Sequence, residues 1–408
     1  MLILKLHIKE RNDMKNNQPH SVPHRSGQKT NTTQTYSQTT RSVRNKTKYA
    51  RRVFIAKCIT FTCMLLVLGG GVYLLYRTGF FGLTSLFKGD SPKSSTFISS
   101  LATTESTLPP DTTTTVESTT LPDNLTGYTV ILDPGHGGWD RGTSYPYLSD
   151  KNEEPIYTLK IANILKPELE SRGAKVYVTR TEDEYYSLYY RVAQVHLICM
   201  DIAKERGLLT FSAEREAELR KNLEQVKTVN DNSYDKGGMG LMAGTGVGDD
   251  LKELFEMEYK LTDVVFISIH LNADYDDNGN PVAHHGIEVT YVTDDSVNTY
   301  ESNPKNRTAG APVRGEYHGR QNEHNLLFCQ CLYDGIVKDN PTLKSNMEKP
   351  VYTANWAVTR KQGLVGTLLE FGFVSDENDR AILSSDEALQ KVCASVADSL
   401  EEYFKQIR

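Results

Sequence analysis

The chain has few cysteines, and nothing in their spacing builds a site. Six occur in 408 residues: Cys58 and Cys63 in one apolar run, with Cys199, Cys329, Cys331 and Cys393 scattered beyond it. There is no CxxC pair and no metal-type cysteine spacing, which argues against a disulfide framework or a structural zinc finger. Cys329 and Cys331 fall in an expected helix, NLLFCQCLYDGIV, where residues two apart point in different directions. The glycine-rich stretch from Gly237 to Gly248 lacks the lysine–hydroxyl ending of a phosphate-binding loop and does not open from a strand. Nucleotide binding is therefore set aside, and a mobile hinge or loop is expected there.

The amino-terminal end lacks acids. Residues 1–52 carry 12 Lys/Arg against only Glu10 and Asp13, about +10 in a chain of net charge −6, so the remainder carries about −16. Apolar residues are scarce after Met14, and a disordered tail is expected. A nucleic-acid arm would have this composition too, but the next stretch supplies a better reason for the charge. Cys58 to Tyr76 is a 19-residue run without a charge, extended by Val53 to Ala56 across Lys57. Residues 53–76 are long enough to cross a bilayer as a helix. A cleaved signal peptide would have a shorter apolar region followed by small residues, whereas Arg77-Thr-Gly-Phe-Phe-Gly follows here. Six Lys/Arg crowd the amino-terminal flank and Arg77 stands nearly alone on the other, which places the tail in the cytoplasm and the rest outside. Within residues 77–126, Ser91 to Thr120 holds 17 Ser/Thr in 30 positions and few large apolar residues. That composition predicts an extended linker.

From about residue 127 strand-like and helix-like blocks alternate. Val130 to Asp133, Lys175 to Thr179, Val264 to His270, Gly286 to Val292 and Thr367 to Phe371 read as strands. Glu154 to Arg172 reads as a helix with Pro167 as a kink, and Asp386 to Ile407 as a closing amphipathic helix. The expectation is one α/β domain, 127–408, with a mostly parallel or mixed central sheet flanked by helices. Residues 197–262 break the rhythm and read as a helical insertion; Glu214 to Val226, with alternating charges, looks like a solvated surface helix.

Two histidines end apolar runs: His136 after Val130-Ile-Leu-Asp-Pro-Gly135, and His270 in Phe266-Ile-Ser-Ile-His270-Leu-Asn272. The Pro134-Gly135 turn should end its strand and aim His136 from a carboxyl edge, where open α/β sheets carry their sites. A histidine ending one strand is, taken alone, more often structural than a ligand; two improve the odds. Glu154, at a helix start, can bring an acid to the same edge, completing a His₂Glu set of the kind catalytic zinc uses, with a position left for water. Glu370 interrupts an apolar strand, where an acid is costly unless paired or functional. It is either a proton acceptor beside metal-bound water or a buried acid bonded to backbone or Arg360. His196, His284, His285, His318 and His324 have no strand-edge context and are expected to be solvated.

ILDPGHGGWDRG, the helix from Glu154, VYVTR, FISIHLNA and LLEFGFVSDENDRAIL together resemble the zinc-dependent N-acetylmuramoyl-L-alanine amidases over about residues 128–408. The resemblance implies one Zn2+ held by His136, Glu154 and His270, with Glu370 as catalytic base, in a peptidoglycan hydrolase cutting between N-acetylmuramic acid and L-alanine. It selects Glu154 over Glu153, although Pro155 stands where relatives have lysine. Arg360 matches a frequent arginine, which would stabilise substrate or oxyanion, or simply pair with an acid. Asn272 would line the cleft or serve as a strand-end turn residue. Some relatives carry a helical insertion over the zinc, so residues 197–262 become a candidate lid or docking element for a protein activator. The implied setting is a bacterial cell membrane, single-pass, with the catalytic domain facing the cell wall and no nucleic acid involved. Two other classes stand beside this reading: a non-catalytic or regulatory wall-binding protein, and a zinc peptidase or deacetylase of peptidoglycan.

Overall fold

The computed structural model describes residues 124–408. The expectations for the basic tail, the membrane span at 53–76 and nearly all of the linker lie outside these residues. Among the described residues no helix is long and apolar enough to cross a membrane. Leu125, placed in the linker by composition, is fully buried and its amide is bonded to Arg172 O, so it belongs to the folded domain.

Among the described residues six strands form one sheet: β1 Thr129–Pro134, β2 Lys175–Val178, β3 Val264–Asn272, β4 Glu288–Tyr291, β5 Val351–Thr353 and β6 Val365–Phe373, in the order β2-β1-β3-β6-β4-β5. The strands β2, β1, β3 and β6 pair in parallel; β4 runs antiparallel to β6, and β5 parallel to β4. The sheet is mixed, as expected. All nine residues of both β3 and β6 are buried, which explains why they read as near-continuous apolar runs. Short β5, with two half-buried residues and one exposed, left no such signal.

The helices are α1 Glu154–Ser171, α2 Leu188–Glu205, α3 Ala213–Val229, α4 Asp249–Glu258, α5 Asp294–Ser302, α6 Asn322–Asp339, α7 Ala357–Arg360, α8 Glu377–Ser384 and α9 Asp386–Gln406. Alternation along the strands divides the core into two layers. Val130, Leu132, Val265, Ile267, Ile269, Leu369 and Phe371 pack with α1, α6 and α9. Ile131, Phe266 and Leu368 face the other way, against α2, α3 and α4. α1 continues through Pro167. β1 extends through Pro134, which still aligns with Ile269 of β3.

Several expectations need correction. The interval 197–262 is the second core layer. Leu219, Leu223 and Val226 of α3 and Leu254, Phe255 and Met257 of α4 are buried there with Val192 and Phe266. The helix expected to be merely a solvated surface thus hides one apolar side, and a detachable lid would have to expose that core. Nor is the glycine-rich stretch a hinge. Thr245 and Val247 bridge to Val313 and Gly315, and Lys361 Nζ donates to Gly244 O and Gly246 O at 3.1 and 3.3 Å. Gly244 has φ +93°, and a Cβ there would fall 2.1 Å from Pro312 O, so close backbone approach accounts for the glycine. His196 is fully buried, with Nδ1 2.6 Å from Glu258 Oε1, and His284 pairs with Asp274; neither is free in solvent.

Candidate metal centre

The sheet order places β2 on one side of β1 and β3 on the other. The crevice between the carboxyl ends of β1 and β3 is therefore a point where strand order reverses, where α/β sheets carry their sites. His136 follows β1 and His270 lies near the end of β3.

The turn aims His136 through close approach rather than through glycine's backbone freedom. Gly135 needs no unusual backbone angle; a Cβ on it would sit 2.4 to 2.7 Å from the His270 ring, so glycine is required for close approach. The left-handed residue is His136 itself, with φ 62°. Such a conformation is uncommon outside glycine and clusters at functional sites. Arg180 and Thr158, both buried, impose it by donating to the turn. Arg180 Nη2 reaches Gly135 O at 3.1 Å and Thr158 Oγ1 reaches the same carbonyl at 2.9 Å. Below the turn, buried Asp133 accepts from Arg191 at 2.6 Å, Thr179 at 2.6 Å and Ser268 at 2.7 Å, tying β1 to β3 and α2. Burial raises the Asp133 carboxyl, but Arg191 and the two hydroxyls outweigh it and hold it below the ordinary range. Asp133 was not singled out from sequence, although an acid ending an apolar strand carries the signal that singled out Glu370.

Glu154 starts α1, with Pro155 in the first turn, a position where proline loses no helical bond. Its carboxylate lies 3.2 Å from His136 Nε2 and 2.9 Å from His270 Nδ1. Thr143 N and Leu271 N donate to it at 2.8 and 2.9 Å. Glu153 turns away to Arg141, at 2.6 and 2.8 Å. Of the two adjacent glutamates, Glu154 is the one brought to the histidines.

One ligand atom from each of His136, Glu154 and His270 fits within 4.8 Å of the others, all three residues sharing one buried site. The imidazoles meet edge to face, centroids 4.9 Å apart. Burial disfavours a charged His136, yet Glu154 and Asp140 push it up to about 10, and Asp140 Oδ1 lies 3.0 Å from Nδ1. Despite its own burial Asp140 is held at about 2 by His136, and Glu154 stays well below the carboxylate range for the same reason. Burial leaves His270 lowered and neutral, and its Nε2 is buried with no hydrogen-bond partner among the described residues. Ionised acids, a neutral imidazole and an unmatched buried nitrogen fit a divalent cation; the field that raises His136 is one that attracts a dication.

Glu370, buried in β6, lies in register beside His270 of β3 on one side and Glu288 of β4 on the other. Buried Asn272 donates to Glu288 at 3.0 Å and Tyr352 to the same oxygen at 3.1 Å, so Asn272 reaches the edge with its amide already engaged. Glu288, missed from sequence, interrupts Gly286-Ile-Glu-Val as Glu370 interrupts its own strand. Arg360 is not brought to this edge. It precedes the amino end of β6, and Val365 to Glu370 is five steps of about 3.3 Å, roughly 16 Å. There it pairs with Glu301 at 3.1 Å, the ion-pair alternative held open for it.

A buried two-histidine, one-carboxylate cluster that could hold a metal ion lies at a strand-order switch of an α/β sheet, with a further acid on the next strand. The chain belongs to the N-acetylmuramoyl-L-alanine amidase family, whose model matches residues 130–203 and 208–402, including nearly all of the interval first read as an insertion. The probable cell wall amidase LytH of Staphylococcus aureus is 51% identical over 67 residues, 16% of this chain and 23% of that relative, so the match spans under a quarter of its length. Similar solved structures include the amidase AmiC2 of Nostoc punctiforme, at 18% identity and TM-score 0.40 over 68% of this chain and 97% of that one. Another is the CwlD amidase of Clostridioides difficile, solved in complex with the GerS lipoprotein, at 17% identity and TM-score 0.39 over 68% of this chain and 99% of that one.

Proposed function

We propose that the chain is a zinc-dependent peptidoglycan hydrolase that cleaves the amide between N-acetylmuramic acid and L-alanine, with His136, Glu154 and His270 as ligands and Glu370 as base. The observation that carries this is the convergence of three buried donors on one point, with His270 Nε2 unmatched. Zinc bound there would acidify water and polarise the amide carbonyl. Glu154 keeps its orientation through the amides of Thr143 and Leu271. Glu370 takes the proton of the attacking water and returns it to the leaving amine of L-alanine. Asn272 and Tyr352 hold Glu288 behind Glu370, which positions the acidic row.

The same reading anchors the chain in a bacterial membrane by residues 53–76, basic tail inside and hydrolase domain facing the wall. It rests on the charge-free run and its asymmetric basic flank. A protein activator docking on 197–262 would meet the outward, charged side of α3, because its inward side is core.

Mass spectrometry of fragments released from purified wall tests the bond. Free stem peptides beginning with L-alanine are the expected product. Cross-link cleavage, deacetylation without stem release, or no release at all would replace this reading with a peptidase, a deacetylase or a wall-binding protein.

A further inference from the structure

Beside the metal cluster a short turn carries an aromatic ring that the chemistry above does not use. It begins at His136 and ends at Asp140, which touches His136 Nδ1. Gly137 and Asp140 exchange both backbone bonds, at 2.9 and 3.1 Å, leaving Gly138 and Trp139 at the tip. Trp139 is 61% exposed, its ring 4.1 Å from that of Tyr185 and tilted by 33°.

The tip is held from several directions. Gly138 N donates to Asp183 at 2.9 Å, while Arg141 reaches Gly138 O at 2.9 Å, Asp183 at 2.8 Å and Glu153 at 2.6 Å. A side chain on Gly138 would strike Tyr185, 2.6 Å from its backbone nitrogen. From the far side Asn230 Nδ2 donates to Tyr185 O at 3.0 Å and Asn232 to its hydroxyl at 3.3 Å. An aromatic face is thus kept open to water and braced by two chain segments, at the lip of the reactive centre.

We infer that Trp139 and Tyr185 form a shelf for a neutral N-acetylglucosamine ring of the glycan strand, neighbouring the muramic acid whose amide is cut. This rests on the hydrolase reading above for the identity of the polymer. One face of a pyranose ring is lined by C–H groups and packs flat on an exposed aromatic ring, while its hydroxyls point sideways as donors. The surroundings suit that ligand. Glu182, Asp183 and Glu184 precede Tyr185 and are exposed, so they accept from hydroxyls and repel an anionic peptide. Arg141, which reaches the tip, is already engaged by Asp183 and Glu153 and leaves the acidic character in place. The shelf is therefore assigned to saccharide rather than to the carboxylate-bearing stem.

The chain has two tryptophans, Trp139 and Trp356, which permits a direct reading. Titrating the full chain with the N-acetylglucosamine tetramer should give a saturable change in tryptophan emission that disappears in Trp139→Ala. Rate measurements should show the ratio of kcat/KM on intact wall to that on a muramoyl dipeptide falling about tenfold in Trp139→Ala, with recovery in Trp139→Tyr. No saturable response to the tetramer, an unchanged ratio, or a response to free stem peptide instead would overturn the shelf. The two readings fail separately. A chain that answers the tetramer but releases no stem peptide keeps the shelf and loses the hydrolase. One that releases stem peptides with an unchanged Trp139→Ala ratio does the reverse.

Discussion

Two buried charge clusters lie at opposite strand ends of the sheet, and they differ in what the protein supplies to each. At the amino end of β6, Glu301 faces Arg360 at 3.1 Å, Tyr317 at 3.3 Å and Lys361 at 3.5 Å, while Lys361 also meets Tyr317 and the glycine-loop carbonyls. There each buried acid or base has a counter-group from the chain. At the carboxyl ends of β1 and β3 one acid, Glu154, and two imidazoles converge on a shared point, and among the described residues His270 Nε2 has no hydrogen-bond partner. Both clusters are buried and ionic. The first is matched within the chain; the second could hold a cation. Burial of charge alone would not have told them apart, but the matching of donors to acceptors does.

The largest expected effect breaks the open cluster. His270→Ala or Glu154→Ala should abolish stoichiometric zinc and lower turnover by roughly 10³-fold or more, given the several kcal/mol a metal contributes to charge stabilisation. Metal analysis and wall-hydrolysis rates check it together. A variant that keeps both sends the ligand set back for revision. Next, Glu370→Gln should retain zinc yet lose about 10²- to 10⁴-fold in turnover, the range for a positioned base. Near-normal turnover would remove Glu370 from the chemistry.

The closed cluster should answer in stability. Glu301→Gln leaves Lys361 and Arg360 buried without their acid and should destabilise folding by about 3–5 kcal/mol, read by denaturant unfolding, while the remaining folded protein still binds zinc. A loss of zinc affinity in folded Glu301→Gln would show that the clusters are coupled. The smallest effect concerns pH. Burial lowers the Lys361 ammonium to about 8 despite Glu301. Between about pH 8 and its ordinary value of 10.5 the unfolded chain binds the proton and the folded chain does not, so this group's contribution to stability rises with pH there. Unfolding of wild type and Lys361→Met at pH 7.5 and pH 9.5 checks the sign: the difference should shift in favour of wild type at the higher pH.

How far sequence reached can be judged residue by residue. β3 and β6 were legible because they are near-continuous apolar runs, and His136 and His270 because each ends an apolar run. The choice between Glu153 and Glu154 depends on Arg141, twelve positions upstream of Glu153, and only the folded loop shows which carboxylate it takes. Arg360 belongs to the structural cluster because β4 and β5 reverse direction against β6, a topology set by long-range pairing. In α3 the spacing of Leu219, Leu223 and Val226 was present but outnumbered by charges, so a half-buried helix looked wholly solvated. His136 carries the strained backbone because Arg180 and Thr158 grip the turn before it, contacts with no local sequence signal.

The central claim is that the strand-switch cluster is a three-donor zinc site. X-ray absorption at the zinc edge on the full chain tests it most directly, in wild type and in His270→Ala. One zinc per chain with two imidazole nitrogens and a carboxylate oxygen from protein is predicted, with one imidazole lost in the variant. No bound zinc, or the same two-imidazole spectrum from both proteins, would contradict it.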